Sequence, residues 1–140
     1  MKPLYDDSNI FAKILRGELP CHKVYEDEKT LAFMDIMPVA TGHVLVIPKC
    51  QAVELSDLPL EYATAVIATA QKVMTAQRQV LNTQAIMQMQ LNHADAGQSV
   101  FHYHIHLVPA HFSTIAKHET LTVDADTLAK LAKQLAAAIA

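Results

Sequence analysis

The sequence has 140 residues, of which 51% are hydrophobic and 18% are charged, which predicts one globular domain over residues 1–140 and excludes a disordered chain. Its formal net charge of −3 excludes a broad basic surface for binding nucleic acid. The sequence shows no signal-peptide pattern, no apolar run of membrane-spanning length and no CxxC pair between its 2 cysteines, so we expect a cytoplasmic protein without nucleic-acid or membrane partners.

The first half of the chain is predicted to form one helix and three strands. Ser8 would cap a helix over 10–16, and Gly17 would end it. The strands are expected over 22–26, 30–35 and 43–47, where apolar and β-branched residues cluster between turn residues.

The second half contains the longest periodic segment. Apolar residues recur at helical spacing from Ala63 to Leu81, with Gln77 as the polar exception, and Ser56 or Asp57 would start this helix. Two strands and an Ala-rich helix are expected over 86–92, 100–108 and 124–140. Because most strand connections are too short for crossover helices, we predict a mostly antiparallel sheet with helices on one side, an α+β domain.

Three histidines occupy alternate positions in the predicted strand 100–108. Because side chains alternate between the faces of a strand, His102, His104 and His106 would point the same way. The intervening residues would face the core; they are Phe101, Tyr103, Ile105 and Leu107. One face of this strand would therefore pack and the other would present chemistry.

The residues alone leave three interpretations of this face open. It could be an ordinary polar surface, or a metal site, because neutral imidazole is a common ligand. It could also carry nucleophilic chemistry on phosphorus, with the neighbouring imidazoles as hydrogen-bond and proton donors. The preceding Gly97-Gln98-Ser99 favours the third interpretation, because a glycine at positive φ can turn backbone N–H groups toward an anion and the serine hydroxyl adds a donor.

Residues 102–108 also carry the signature of a known family. The pattern His-x-His-x-His followed by two apolar residues resembles the histidine triad (HIT) family. Further motifs of that family occur in the same order over 10–20, 24–27, 33–38 and 42–49. The resemblance covers about residues 8–110 and is closest to the small bacterial and Hint-like nucleoside phosphoramidate hydrolases.

The resemblance implies a role for each matching residue. His104 would be the nucleophile that forms a nucleotidyl-histidine, with His102 and His106 flanking the phosphate and His106 nearest the leaving group. His43 would be a fourth, supporting histidine, and Asp35 would bind the ribose hydroxyls. The base would lie against side chains that the residues alone would assign to the core, namely Phe11, Ile14, Phe33 and Ile36. Phosphate oxygens would bind Ser99 and the Gly97-Gln98 backbone.

The family also implies a HIT-like fold and a homodimer. The fold would be a roughly five-stranded antiparallel sheet with a short N-terminal helix, a long central helix and a C-terminal helix. The dimer would join two sheets edge to edge. No cofactor is expected. The implied activity is hydrolysis of purine nucleoside phosphoramidates or related nucleoside monophosphate derivatives. Diadenosine polyphosphate hydrolysis and nucleotide binding with little catalysis are the alternatives.

Two departures from the family pattern bear on metal and substrate. Bacterial relatives that bind structural zinc use Cys-x-x-Cys and a later histidine, where this chain has Asn9, Ala12 and Gln51, so we predict no zinc at that site. In the loop before the triad, Asn92 is the candidate substrate contact and His93 replaces a glycine. Substrate preference is therefore less constrained by the sequence than the chemistry is.

Overall fold

The computed structural model describes residues 2–110 and 121–140 of the chain. In these ranges the helices are α1 (Ile10–Leu15), α2 (Leu60–Leu81) and α3 (Ala125–Ile139). The strands are β1 (Lys23–Glu26), β2 (Thr30–Met34), β3 (Val44–Pro48), β4 (Met87–Met89) and β5 (Ile105–Val108). Short 3₁₀ helices occur at Leu55–Asp57 and Ala94–Ala96. No helix of the described ranges has the length and apolar character that a membrane span requires.

A five-stranded sheet forms the centre of the fold. Its strand order is β1-β2-β3-β5-β4, and every neighbouring pair is antiparallel, which confirms the predicted α+β class. In β5, His106 lies opposite Leu45 of β3 on one side and Met89 of β4 on the other. The register therefore holds the last histidine of the run inside the sheet.

Both faces of the sheet are buried, each by different helices. On one face, Val44 and Val46 of β3 pack with side chains of α2 and α3. On the other face, Leu45 and Ile47 pack with Phe11 of α1. The prediction that helices cover one side only is therefore wrong, and β2 and β3 are buried throughout because alternate side chains enter different cores. Each large apolar side chain buried in this way stabilises the fold by roughly 1.5–3 kcal/mol.

Helix α1 begins at the predicted Ile10 but has a different cap, and α2 begins later than the sequence predicts. Asn9, not Ser8, caps α1, and its side-chain oxygen accepts a hydrogen bond from the Ala12 N–H at 2.9 Å. The Ser8 hydroxyl instead donates to Asp6. Likewise, Asp57 belongs to a separate 3₁₀ helix whose cap it completes, and α2 begins one residue after Pro59.

Strand β5 is shorter than predicted, because the chain leaves the sheet before Ile105. The Tyr103 N–H donates to the Ala52 carbonyl at 2.8 Å, so residues 100–104 form a loop beside the sheet rather than a strand within it. Tyr103 still points into the core, as predicted, whereas Phe101 is 44% exposed, so its predicted inward orientation is wrong. Only His106 of the three alternating histidines lies on a strand.

Gln77, the polar exception of α2, ties that helix to the sheet. Its side chain is fully buried, and its Nε2 donates to the Gly42 carbonyl at 2.9 Å and to the Leu107 carbonyl at 3.0 Å. These bonds satisfy the N–H groups of the buried amide, whereas its Oε1 has no hydrogen-bond partner among the described residues. The two bonds fix α2 against the loop that leads into β3 and against the triad strand β5.

Candidate active site

A cavity of about 350 Å³ opens on the face of the sheet that α1 covers. Of the residues predicted to form the site, eight line it: Phe11, Ile14, Phe33, Asp35, Ile36, Ser99, His104 and His106. They come from α1, from β2 and the loop after it, from the loop before β5 and from β5 itself. The fold thus joins segments that are distant in sequence around one opening.

The wall of the cavity is apolar on the side of α1 and β2. Phe11 and Phe33 meet edge to face, with ring centroids 5.4 Å apart. Ile14 and Ile36 extend the wall, and Ile36 is 68% exposed at the cavity mouth. An exposed isoleucine beside two buried aromatic rings leaves apolar surface available to a flat ligand.

His104 presents an unprotonated nitrogen to this cavity. Its Nδ1 lies 2.7 Å from the His102 carbonyl oxygen, and because a carbonyl only accepts, Nδ1 must carry the proton. Burial lowers the pKa of His104, so the ring is neutral near pH 7. Its Nε2 therefore holds a free lone pair, which is the requirement for a nitrogen nucleophile.

His106 presents the opposite tautomer. The Val39 N–H donates to His43 Nδ1 at 3.2 Å, so the proton of His43 sits on Nε2, which lies 2.9 Å from His106 Nδ1. His106 Nδ1 is then an acceptor, and the remaining proton of its neutral ring is on Nε2. The pKa of His106 is lowered to about 3, first by burial and then by the charges of His104 and His43. The cavity therefore contains one histidine that accepts and one that donates.

Asp35 completes the group around His43. Its Oδ2 lies 3.4 Å from His43 Nε2, while its Oδ1 accepts from the Met37 N–H at 2.8 Å. Burial lowers the pKa of His43, and the Asp35 charge opposes that shift. The carboxylate thus lies close to His43 and also lines the cavity.

Asp35, His43 and His106 also form the one group of the described residues whose ligand atoms could surround a metal ion. Two nitrogens bound to one zinc ion would be about 3.3 Å apart, given bonds of about 2.0 Å and tetrahedral angles. His43 Nε2 and His106 Nδ1 are 2.9 Å apart, which is the distance of a hydrogen bond instead. His102 is not in the group, so the structure does not support a ligand set made of the three alternating histidines.

His102 lies behind His104, away from the cavity. Its Nε2 donates to the Pro48 carbonyl at 2.9 Å, and its Nδ1 lies 2.6 Å from the Tyr5 hydroxyl. Burial lowers its pKa to about 4. Both ring nitrogens are already engaged, so this placement favours a supporting role over the expected contact with phosphate.

In the loop Gly97-Gln98-Ser99, the backbone N–H groups that were expected to bind phosphate form hydrogen bonds within the protein instead. The Gly97 N–H donates to the Ala94 carbonyl at 2.9 Å, and the Gln98 N–H donates to the His93 carbonyl at 3.1 Å. The buried Gln98 side chain donates to the Val53 and Val100 carbonyls. Gly97 does adopt the predicted positive φ, at 101°. Of this loop, the Ser99 hydroxyl is the predicted donor that lines the cavity.

Asn92 and His93 support the loop from outside the cavity. Asn92 Oδ1 accepts from the Leu55 N–H at 2.9 Å, which connects the loop to the 3₁₀ helix before α2. The His93 N–H donates to Gln98 Oε1, and the exposed imidazole accepts from the Asp95 N–H. Neither side chain lines the cavity, so the structure brings neither to the expected substrate contact.

Several residues that line the cavity or contact its histidines were not predicted from the sequence. Ile10 could have been found by its helical spacing from Ile14, since residues four apart share a helix face. Cys21 lines the cavity as a free thiol, although the sequence indicated it only as a marker of redox compartment. The contacts of Tyr5, Val39 and Pro48 with the histidines depend on tertiary structure alone.

Comparison with known proteins places this geometry among related folds. A family model described as "HIT domain" matches residues 16–113. The adenosine 5'-monophosphoramidase HNT1 of Saccharomyces cerevisiae is 36% identical over 135 residues, which cover 94% of this chain and 83% of that protein. A Hit-like protein from Bartonella henselae, described as involved in cell-cycle regulation, is 40% identical with a TM-score of 0.87 and covers 96% of this chain and 99% of its own. A Zn-bound histidine triad family protein from Mycobacterium smegmatis is 33% identical with a TM-score of 0.80, over 94% of this chain and 93% of that one.

Proposed function

This chain belongs to the histidine triad (HIT) family, and we propose that it hydrolyses purine nucleoside phosphoramidates or related nucleoside monophosphate derivatives through a nucleotidyl-His104 intermediate. One observation carries the proposal: the His102 carbonyl holds the proton of His104 on Nδ1 and leaves Nε2 free beside Ser99 and His106. The yeast relative named as an adenosine 5'-monophosphoramidase supports the substrate class.

The two tautomers divide the chemistry between two residues. The lone pair of His104 Nε2 attacks phosphorus, and the bond from phosphorus to the leaving amine breaks. The leaving amine takes a proton from solvent through His106, whose Nε2–H is passed on and replaced, so this ring is neutral before and after the transfer and the nucleotidyl-His104 ring carries the positive charge. Water then attacks phosphorus, releases a proton to solvent and frees His104, and the product is a nucleoside monophosphate.

The cavity provides a place for each part of such a substrate. The base would lie against the rings of Phe11 and Phe33, with Ile14 and Ile36 beside them. Asp35, which is partly buried at the cavity, would accept hydrogen bonds from the ribose hydroxyls. The Ser99 hydroxyl would donate to a phosphate oxygen, while Gly97, Gln98 and Asn92 hold the loop that carries it.

The charges around the site favour one phosphate over a polyphosphate. A shallow depression of about 300 Å³ continues from the cavity and shares Ile10, Ser99 and Val100 with it. Among the described residues, the linings of the cavity and the depression contain no lysine or arginine, and the depression contains the carboxylate of Asp6. A polyphosphate leaving group would meet a carboxylate there without a compensating cation, so the diadenosine alternative is disfavoured.

The proposal extends to assembly and location. The short strand β4 forms one end of the sheet, so the expected homodimer would pair two β4 strands, Met87–Met89 of each copy. Light scattering of the purified protein tests this directly. Both cysteines are free thiols, which supports the expected cytoplasmic location.

Replacement of the nucleophile tests the proposed activity. In His104→Ala we expect turnover of an adenosine phosphoramidate to fall by at least about 1000-fold, while adenosine monophosphate still binds because the apolar wall is intact. Wild-type protein quenched in alkali, in which a phosphorus–histidine bond persists, should carry covalent nucleoside monophosphate by intact-mass measurement, and the variant should not. His22→Ala, a histidine outside the cavity, is the matched control. Retained turnover in His104→Ala would refute the proposal.

A further inference from the structure

Tyr5 contacts the histidine run from the segment that precedes α1. Its hydroxyl lies 2.6 Å from His102 Nδ1, and the two rings meet edge to face with centroids 5.7 Å apart. It stands 97 positions from its partner and outside the matched range 16–113. It is also absent from every motif that carries the family resemblance. Neither the family match nor the motifs that carry the resemblance therefore assign Tyr5 a role.

The direction of this hydrogen bond follows from the other side of the His102 ring. The Pro48 carbonyl, 2.9 Å from His102 Nε2, can only accept, so the proton of the ring is on Nε2. The ring is neutral near pH 7 because burial lowers its pKa to about 4. Nδ1 must then accept, and the Tyr5 hydroxyl is the donor.

The anchored ring belongs to the residue whose backbone sets the tautomer of the nucleophile. The His102 carbonyl accepts the Nδ1 proton of His104 at 2.7 Å. Phe11 packs edge-on against both rings, with centroid distances of 6.4 Å to His102 and 5.0 Å to His104. Residues 100–104 lie outside the strands, so this carbonyl is held by one backbone bond of its own peptide unit, from the Tyr103 N–H to the Ala52 carbonyl, and by the anchors of the His102 ring, in place of a full ladder of backbone bonds.

We propose that Tyr5 is a positioning residue for the nucleophile: it anchors the His102 ring and thereby holds the carbonyl that keeps the His104 proton on Nδ1. The assignment rests on the proposed function, because it takes His104 as the nucleophile. Tyr5 does not line the cavity and touches no reacting atom, so it would act on the nucleophile through the His102 ring, while its hydroxyl also interacts with Asn9, the cap of α1. The titratable groups that face the His102 ring are Tyr5 and His104, and the other contacts are the Pro48 carbonyl and the Phe11 ring.

Tyr5→Phe removes the hydroxyl and keeps the ring. We expect kcat for an adenosine phosphoramidate to fall roughly 10-fold with KM unchanged, which corresponds to about 1.4 kcal/mol, the size of one hydrogen bond. The titration midpoint of His102, followed by NMR on protein labelled in histidine, should rise, because a ring without the O–H donor can bind a proton at Nδ1. The NMR spectrum also reports the tautomer of His104 without reference to turnover.

Tyr25→Phe is the matched control. It also removes a bonded hydroxyl, since Tyr25 Oη lies 3.0 Å from Asp27 Oδ2 and 3.0 Å from Lys72 Nζ, but its ring packs in the core formed by α2 and α3. A structural role shared by both tyrosines would lower the midpoint of unfolding in both variants and leave kcat and the histidine titrations unchanged.

The outcomes separate a failure of this assignment from a failure of the proposed function. Tyr5→Phe that behaves like Tyr25→Phe would overturn the assignment, and so would a shifted His102 titration with unchanged kcat. A fall in kcat together with the shifted titration would support it. Wild-type protein without turnover of any nucleoside phosphoramidate would overturn the proposed function itself, and the His102 titration would still show whether Tyr5 anchors that ring.

Discussion

His43 Nε2 lies 2.9 Å from His106 Nδ1, and the two histidines are brought together by the neighbouring strands β3 and β5. His43 directly precedes β3, where the Val39 N–H fixes its tautomer, and His106 lies on β5. The antiparallel pairing of β3 with β5 therefore places the support next to the residue that it orients. The register of β3 against β5 thus determines that the proton of the neutral His106 ring lies on Nε2.

Removal of His43 should impair proton donation more than nucleophilic attack. In His43→Ala, His106 can carry its proton on either nitrogen, so we expect kcat to fall by at least about 10-fold for an alkylamine leaving group. A leaving group that departs without a proton, such as a nitrophenol, should be affected little. Steady-state kinetics on the two substrates measures the difference.

His43→Gln is the conservative comparison, because its amide can still donate toward His106 and should restore part of the loss. Because His43 is buried, urea unfolding of each variant checks that the fold persists. Equal losses for both leaving groups would contradict the proposed link between His43 and proton donation.

Stability should fall as the pH drops below about 6.5, the ordinary pKa of histidine. The pKa of His102 is lowered to about 4 and that of His106 to about 3, so the unfolded state binds protons that the folded state does not. The stability contributed by their neutral forms is complete above pH 6.5 and is lost as the pH falls toward these lowered values. Within that window, each of the two histidines lowers the free energy of unfolding by about 1.4 kcal/mol for every unit by which the pH falls.

Urea unfolding between pH 7.5 and 5 measures this loss. Carboxylates such as Glu26 and Asp27, whose pKa values are lowered, add to it only at more acidic pH. In His102→Gln, which cannot titrate, the slope of the unfolding free energy between pH 6 and 5 should decrease by about 1.4 kcal/mol per pH unit. A slope identical to that of the wild type would show that His102 is not held neutral by the fold.

The sequence predicts the parts of the fold that depend on local pattern. Strands β2 and β3 and helix α2 follow from apolar periodicity, and the apolar wall with His104 and His106 follows from the family motifs. Cap positions were less predictable, because Ser8 and Asn9 are both good caps and only the side-chain bond of Asn9 to Ala12 decides between them.

Long-range contacts account for what the sequence does not predict. Strand alternation implied three equivalent histidines on one face, but the Tyr103 N–H bonds to Ala52 and ends the strand early. His102 then turns away from the cavity toward Tyr5, 97 positions earlier in the chain. The same alternation could not show that α1 covers the second face of the sheet, because both faces of β2 and β3 are apolar.

Alanine at Gly42 should be far more damaging than alanine at Gly17. Both glycines adopt positive φ, 85° and 78°, so both substitutions force an L residue into a left-handed conformation at a cost of roughly 1 kcal/mol. A Cβ at Gly42 would lie 2.3 Å from Leu81 Cδ1, whereas nothing lies within 4 Å of one at Gly17. We therefore expect the free energy of unfolding of Gly42→Ala to fall by a further ~1–3 kcal/mol, because the added methyl group overpacks the end of α2.

Urea unfolding of the two variants isolates the steric part, since the backbone cost is common to both. Gly42 also supplies a carbonyl to Gln77, so the displaced helix end should weaken the bond that holds α2 to β5. Equal destabilisation by the two substitutions would mean that Leu81 moves aside without cost.

His93 should be replaceable by glycine with a gain in stability. It adopts φ 85° and ψ 150°, a conformation that costs a side-chain-bearing residue about 1–3 kcal/mol and costs glycine almost nothing. Its backbone N–H donates to Gln98 Oε1, a bond that glycine keeps. The exposed imidazole accepts only the Asp95 N–H, at 3.2 Å, and water can replace that partner.

We expect His93→Gly to raise the free energy of unfolding by about 1 kcal/mol, while His93→Ala, which keeps the strained backbone and loses the imidazole, should lower it slightly. Because His93 lies outside the cavity, kcat should be unchanged in both. If alanine stabilised as much as glycine, the imidazole rather than the backbone conformation would be the source of the strain.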